Sequence, residues 1–199
     1  MRSATARIAA VFAVPLTATM LTACGGSPDR HGAPSSTDRS SGQADHNADH
    51  NADDIAFART MVPRHQQAVQ MAQMVPTNTT NPRVIALADR IITTQAPDIQ
   101  AFRTFLMQWQ DVQGHDARGT DSSGVGMVDQ ATMDKLQSLT GPGFDRLWLT
   151  SMIDQHRGAI AMAQDEVAHG RNADVIYLAR SIIATQQPEI DQMKQMLGG

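Results

Sequence analysis

Met61-Val62-Pro63-Arg64-His65-Gln66-Gln67-Ala68-Val69-Gln70-Met71-Ala72-Gln73 is answered later in the chain by Met152-Ile153-Asp154-Gln155-His156-Arg157-Gly158-Ala159-Ile160-Ala161-Met162-Ala163-Gln164, at a constant offset of 91 residues. Met, His, Ala, Met, Ala and Gln coincide at the same positions of both stretches. The match continues without a gap: Asn81, Val84, Ile85, Leu87, Ala88, Ile91, Ile92, Thr94, Gln95, Pro97 and Ile99 are repeated as Asn172, Val175, Ile176, Leu178, Ala179, Ile182, Ile183, Thr185, Gln186, Pro188 and Ile190. Self-similarity at one fixed period marks an internal duplication.

Each copy reads as two helices. The first copy predicts helices over about 53–75 and 82–110, the second over about 144–168 and 173–197. In the second helix the apolar residues Val84, Leu87, Ala88, Ile91, Phe102, Leu106 and Trp109 recur at steps of three and four, with one turn interrupted. Asn81 before Pro82 is a start signal, a capping side chain followed by proline at the first helical position. Asn172 takes the cap in the second copy. Residues 129–138 predict a short extra helix after the glycine-rich connector Gly114–Gly126. Nothing alternates with a period of two. Two hairpins with one apolar stripe per helix bury those stripes against each other, which predicts an all-α antiparallel four-helix bundle with approximate two-fold symmetry.

Upstream the composition changes. Arg2 and Arg7 precede the apolar run Ile8–Leu16, too short to span a bilayer, and Leu21-Thr22-Ala23-Cys24-Gly25 fits a bacterial lipobox. This predicts a lipoprotein signal peptide over 1–23, lipidation of Cys24 by acyl chains such as palmitate, and an extracytoplasmic protein held at the membrane by its lipid. Residues 24–52 are polar and predict a flexible tether, leaving 53–199 as the folded domain. Cys24 is the only cysteine, so neither an internal disulfide nor a cysteine-based metal site can form. Loss of Arg2 and Arg7 takes the net charge from −4 to −6, and that acidity, with few aromatics, argues against nucleic acid as a partner. No protein partner is legible.

Twelve methionines and seven histidines are the unusual feature of the composition. Met61 and His65 lie four apart on one helical face, as do Met152 and His156. Thioether and imidazole together suit copper, above all reduced copper, while no oxygen cage for calcium or magnesium is visible. Met71 and Met162 extend the candidate ligand set. Methionine equally fills irregular helix cores, and a single histidine on an apolar face is often a hydrogen-bonded core residue. Gln95 and Gln186 fall on the apolar stripe two residues before matched prolines. They read either as groups that orient His65 and His156 or as local partners for a proline kink.

The first motif, His50-Asn51, Asp54, Phe57 and Met61 to Ala72, with the second, Gly143-Phe144-Asp145-Arg146-Leu147-Trp148-Leu149 and Met152 to Ala163, resembles the paired signature of the bacterial domain of unknown function 305, or CopM-like, family. The resemblance covers about 50–199. It implies a ferritin-like bundle and extracytoplasmic copper binding, and it adds His50 to the candidate ligands. The family carries two adjacent histidines in each motif, and here the first of each is replaced, by Arg64 and Gln155. If that position is a ligand, this chain lost it in both copies; if it faces solvent, little is lost, because adjacent helix residues point about 100° apart.

Catalysis finds no support in the sequence. A di-iron site needs Glu-x-x-His on two helices and a glutamate from each of two others. Glu166 and His169 have that spacing, but their counterparts are Val75 and Asn78, and Glu189 is the only other glutamate. No Ser–His–Asp set is legible either. The reading is a lipid-anchored, non-catalytic copper buffer or delivery protein. The alternative is a helical protein-interaction module that binds no metal.

Overall fold

A computed structural model describes residues 49–109 and 126–198. The signal peptide, Cys24, most of the tether with His46, and nearly all of the connector lie outside the described residues. Five α-helices make up the fold: α1 (Ala52–Asn78), α2 (Pro82–Gln108), α3 (Gln130–Ser138), α4 (Gly141–His169) and α5 (Ala173–Gly198). No strand occurs among the described residues, and none of the helices there is long and apolar enough to cross a membrane.

Caps set the helix starts. Asn51 and Asp54 form a capping box: the Asn51 side chain accepts from the Asp53 and Asp54 N–H groups, and Asp54 accepts from the Asn51 N–H. Asn81 accepts from Arg83 N–H ahead of Pro82, and Asn172 accepts from the Asp174 and Val175 N–H groups. The α4 start differs from expectation. The helix begins at Gly141 rather than at about 144, because proline near the first helical position forfeits only an N–H with no helical partner.

α1 packs on α2 and α4 on α5, the two hairpins of the duplication. The hairpins meet mainly through α1 and α4, while α2 and α5 touch little. Apolar residues gather in two clusters. One contains Met71, Val75, Leu87, Ile91, Phe144, Trp148 and Met152 and is closed at its end by Met133 and Leu136 of α3. The other contains Phe57, Met61, Phe102, Ala159, Ala163 and Ile182, and no helix among the described residues closes its end as α3 closes the first. α3 is tied down by Asn78, whose amide donates to the carbonyls of Leu136 and Leu139.

The end of the connector crosses the α1–α4 seam. The Gln67 amide grips the backbone of Val128 from both sides, donating to its carbonyl and accepting from its N–H at 2.8 Å each. Gly126, at φ +76°, lies so close that a Cβ there would stand 2.8 Å from the Asp154 carbonyl oxygen. Only glycine serves in that conformation and that space.

Candidate metal centre

Arg64, His65, Gln155 and His156 lie where α1 crosses α4, and all four are fully buried. Arg64 and Gln155 occupy equivalent positions of the two copies, and they bond to each other. The Arg64 guanidinium donates to the Gln155 carbonyl (3.2 Å), and the Gln155 amide donates to the Arg64 carbonyl. The two-fold relation between the copies therefore passes between these residues. The positions where the resemblance expects a second histidine are at the centre of the molecule and not on its surface. Burial lowers the pKa of Arg64 below its ordinary value.

The two histidines flank this pair. His156 Nε2–H donates to Glu189 Oε2 at 3.0 Å, and His65 Nε2 stands 3.5 Å from Asp98 Oδ2. Asp98 and Glu189 are themselves equivalent across the repeat, so each copy presents one buried imidazole backed by one carboxylate from the following helix. A carboxylate beside one ring nitrogen fixes ring orientation and leaves the other nitrogen free to act. Nδ1 of both His65 and His156 is buried without a hydrogen-bond partner. Desolvation holds the His65 imidazole below its ordinary pKa. Asp98 opposes that shift, while the charges of His156 and Arg64 add to it. His65 is thus neutral at pH 7, the form that ligates.

The methionines part company. Met61 belongs to the apolar cluster on one side of this polar layer, where Met162 is partly buried, and Met152 and Met71 belong to the cluster on the other side. His50 stands elsewhere. Its ring stacks on Trp109 with centroids 4.4 Å apart, at the start of α1, and its Nδ1 is also without a partner. His65 lies fourteen residues along the helix from Asn51, roughly 20 Å at 1.5 Å per residue. Gln95 and Gln186 are buried, yet the groups beside His65 and His156 are Asp98 and Glu189. Neither amide atom of Gln95 has a hydrogen-bond partner.

Asp98 and Glu189 went unread in the sequence because they are not identical. The offset of 91 residues pairs an aspartate with a glutamate directly after the matched Pro97 and Pro188, and a comparison by charge rather than by identity would have exposed them. The donor set fits a soft or borderline ion only in part. The Nδ1 atoms of both imidazoles lack partners, as does Nε2 of His65, with a thioether one helical turn before each histidine. Among the described residues, though, no three His, Cys, Asp or Glu side chains converge to hold a metal by themselves.

Comparison with known proteins agrees with this layout. Residues 54–197 match the model of the family described as domain of unknown function (DUF305). Among solved structures, a Streptomyces coelicolor protein of this family, described as secreted, is 31% identical, with a TM-score of 0.68 over 73% of this chain and 91% of its own. A fragment of a Deinococcus radiodurans member is 27% identical, with a TM-score of 0.66 over 74% and 97%. CopM in its Cu(I)-bound form is 29% identical, with a TM-score of 0.61 over 72% and 94%, and it is also known in Cu(II)- and silver-bound forms. No curated protein matches. A duplicated hairpin, two histidine motifs and a family match running from Asp54 to Leu197 lead to one assignment: the chain belongs to the DUF305 family.

Proposed function

We propose that this protein is a lipid-anchored, extracytoplasmic copper-binding protein that buffers or delivers reduced copper and catalyses no reaction. One observation carries the reading. Each copy of the duplication brings a buried imidazole to the α1–α4 crossing, with Nε2 beside a carboxylate and Nδ1 unpartnered. That is how a protein prepares histidine for a metal. His65 and His156 would be the principal ligands. Met61 and Met152, one turn away on the same helices, would be the thioethers within closest reach.

Charge favours the monovalent ion. The Arg64 guanidinium lies within the same layer, and its repulsion of a divalent cation is twice that of a monovalent one. CopM, to which this chain is similar, is known in Cu(I)-, Cu(II)- and silver-bound forms, which supports copper as the metal without selecting its charge. The lipobox at Cys24 and the secreted Streptomyces relative support a location outside the cytoplasm. The membrane then enters through the anchor alone, and nucleic acid is no partner.

A competition titration with a copper(I) chelator tests the proposal. Replacing His65 and His156 together by Ala should weaken binding by tenfold or more, on the order of 1.4 kcal/mol. Circular dichroism checks that the bundle persists. Unchanged affinity in a folded double variant would refute the assignment. It would favour the second reading, an interaction scaffold, for which the separation of Met61 from Met152 into different apolar clusters already speaks.

A further inference from the structure

The two ends of the bundle share a backbone plan and differ in chemistry. At one end, Phe144, Met74, Val75 and Asn78 sit under or beside α3, with Phe144 and Val75 fully buried. Their equivalents at the other end are Asp53, Asp165, Glu166 and His169, and these line an open cavity of about 230 Å³. Thr60 and Met162 also line it, and among the described residues no lysine or arginine does.

Glu166 is the least expected of the four. It is only 2% exposed, and neither carboxyl oxygen has a partner that satisfies hydrogen-bond geometry. Its twin is Val75, so the fold has no need of a carboxyl here, and a buried carboxyl costs free energy that a valine does not. A second exchange accommodates it. Gly170 replaces Thr79 of the other copy, and any Cβ at position 170 would collide with the Glu166 carboxyl.

The neighbours are set for a cation. Asp54, fully buried, spends its own oxygens on the N–H groups of Asn51, Arg171 and Asn172 and adds negative charge beside Glu166. His169 follows Glu166 by three residues, so the two lie on adjacent turns of one face. His169 Nδ1 lies 3.1 Å from the Asp165 carbonyl oxygen. A carbonyl only accepts, so Nδ1 carries the proton and Nε2 keeps its lone pair for a ligand.

We propose that this cavity is a second cation site, at the opposite side of the Met61 cluster from the histidine crossing, where Glu166 and His169 ligate a partly hydrated divalent ion of the zinc type. Carboxylate and imidazole suit a borderline divalent ion better than a soft monovalent one. The four side chains line the cavity without converging on one point, so water completes the coordination, with Asp53 and Asp165 in reach of that water. Desolvation, then Asp54, hold the Glu166 carboxyl up at about 8. A metal entering at neutral pH displaces that proton.

The proposal does not depend on copper binding at His65 and His156. Its test is a calorimetric titration of the full chain, solubilised in detergent, with Zn²⁺. Glu166→Gln keeps shape but cannot ionise, and His169→Asn installs the residue of the other copy. Each should lose about tenfold or more in Zn²⁺ affinity. Helical content and the copper(I) titration should stay unchanged. His46 and His50 remain in every variant, so a loss belongs to the cavity. Zn²⁺ affinity within twofold of the unsubstituted chain in both folded variants would overturn the site, as would an unsubstituted chain that takes up no Zn²⁺. Loss of copper(I) binding in the His65/His156 variant with Zn²⁺ binding retained would leave this site standing by itself.

Discussion

Glu166→Gln should change how stability depends on pH, in a direction and window that the structure fixes. The ordinary glutamate value of 4.5 rises to about 8 in the folded protein, because burial and then Asp54, with a smaller contribution from Asp53, oppose the charge. Between those values the folded protein holds a proton that the unfolded chain has released. Stability from this group is therefore complete below pH 4.5 and lost as pH rises towards 8, at a slope of about 1.4 kcal/mol per pH unit. His65 runs the other way. Its folded value is lowered, so its contribution is present above its ordinary 6.5 and fades as pH falls. Below 6.5 the two slopes oppose each other. From 6.5 to 8 Glu166 acts alone, and the loss across that window is about 2 kcal/mol. The glutamine side chain keeps the shape of the protonated acid and never ionises. Urea unfolding in half-unit steps, with a chelator present to exclude metal, should show the unsubstituted protein losing about 2 kcal/mol relative to Glu166→Gln over this range. Parallel curves would refute the buried carboxyl held protonated by its surroundings.

Three other outcomes follow from the packing and the signal. Trp148 donates from Nε1 to the Met71 carbonyl at 2.9 Å. Its twin is Phe57, so Trp148→Phe should fold and cost about 1 kcal/mol, the net value of one hydrogen bond, read by thermal or urea unfolding. Met61→Leu with Met152→Leu keeps apolar volume and removes both sulfurs. Each change should cost under about 1.5 kcal/mol, while copper(I) affinity drops if the thioethers ligate and holds if they only pack. Cys24→Ser should leave the protein unprocessed or detached from membranes in a fractionation assay, and normal cleavage and anchoring would disprove the lipobox.

The helices were legible because two independent signals coincided, the constant repeat and the caps at Asn81-Pro82 and Asn172. The interior of the site was legible only as far as identity across the repeat extended. His65 and His156 stood out, whereas Asp98 and Glu189 did not, because matching by identity passes over a conservative exchange. The meeting of Arg64 with Gln155 could not be read at all. Helical periodicity tells which face a residue occupies but not where along the helix the partner crosses. The methionines show the converse limit. The four-residue spacing placed a methionine on the face of each histidine, and nothing in it revealed that Met61 and Met152 belong to different apolar clusters. In the sequence Glu166 stands out only as half of a di-iron spacing with His169. Its burial and its dependence on Gly170 belong to three dimensions.

The contact of position 64 with position 155 constrains how a duplicated gene can drift. Away from the two-fold axis, each copy faces a different environment, and substitutions such as Glu166 for Val75 accumulate independently. On the axis a residue confronts its own descendant. One arginine there finds a carbonyl and an amide in Gln155. Two arginines would place like charges together in a fully buried layer, which is costly without a counter-charge. An axial substitution in one copy therefore selects what the other copy can carry, and the pair evolves as a single site even though its halves lie 91 residues apart. Homologues in which position 64 changes should change at position 155 as well, while positions 75 and 166 vary without reference to each other.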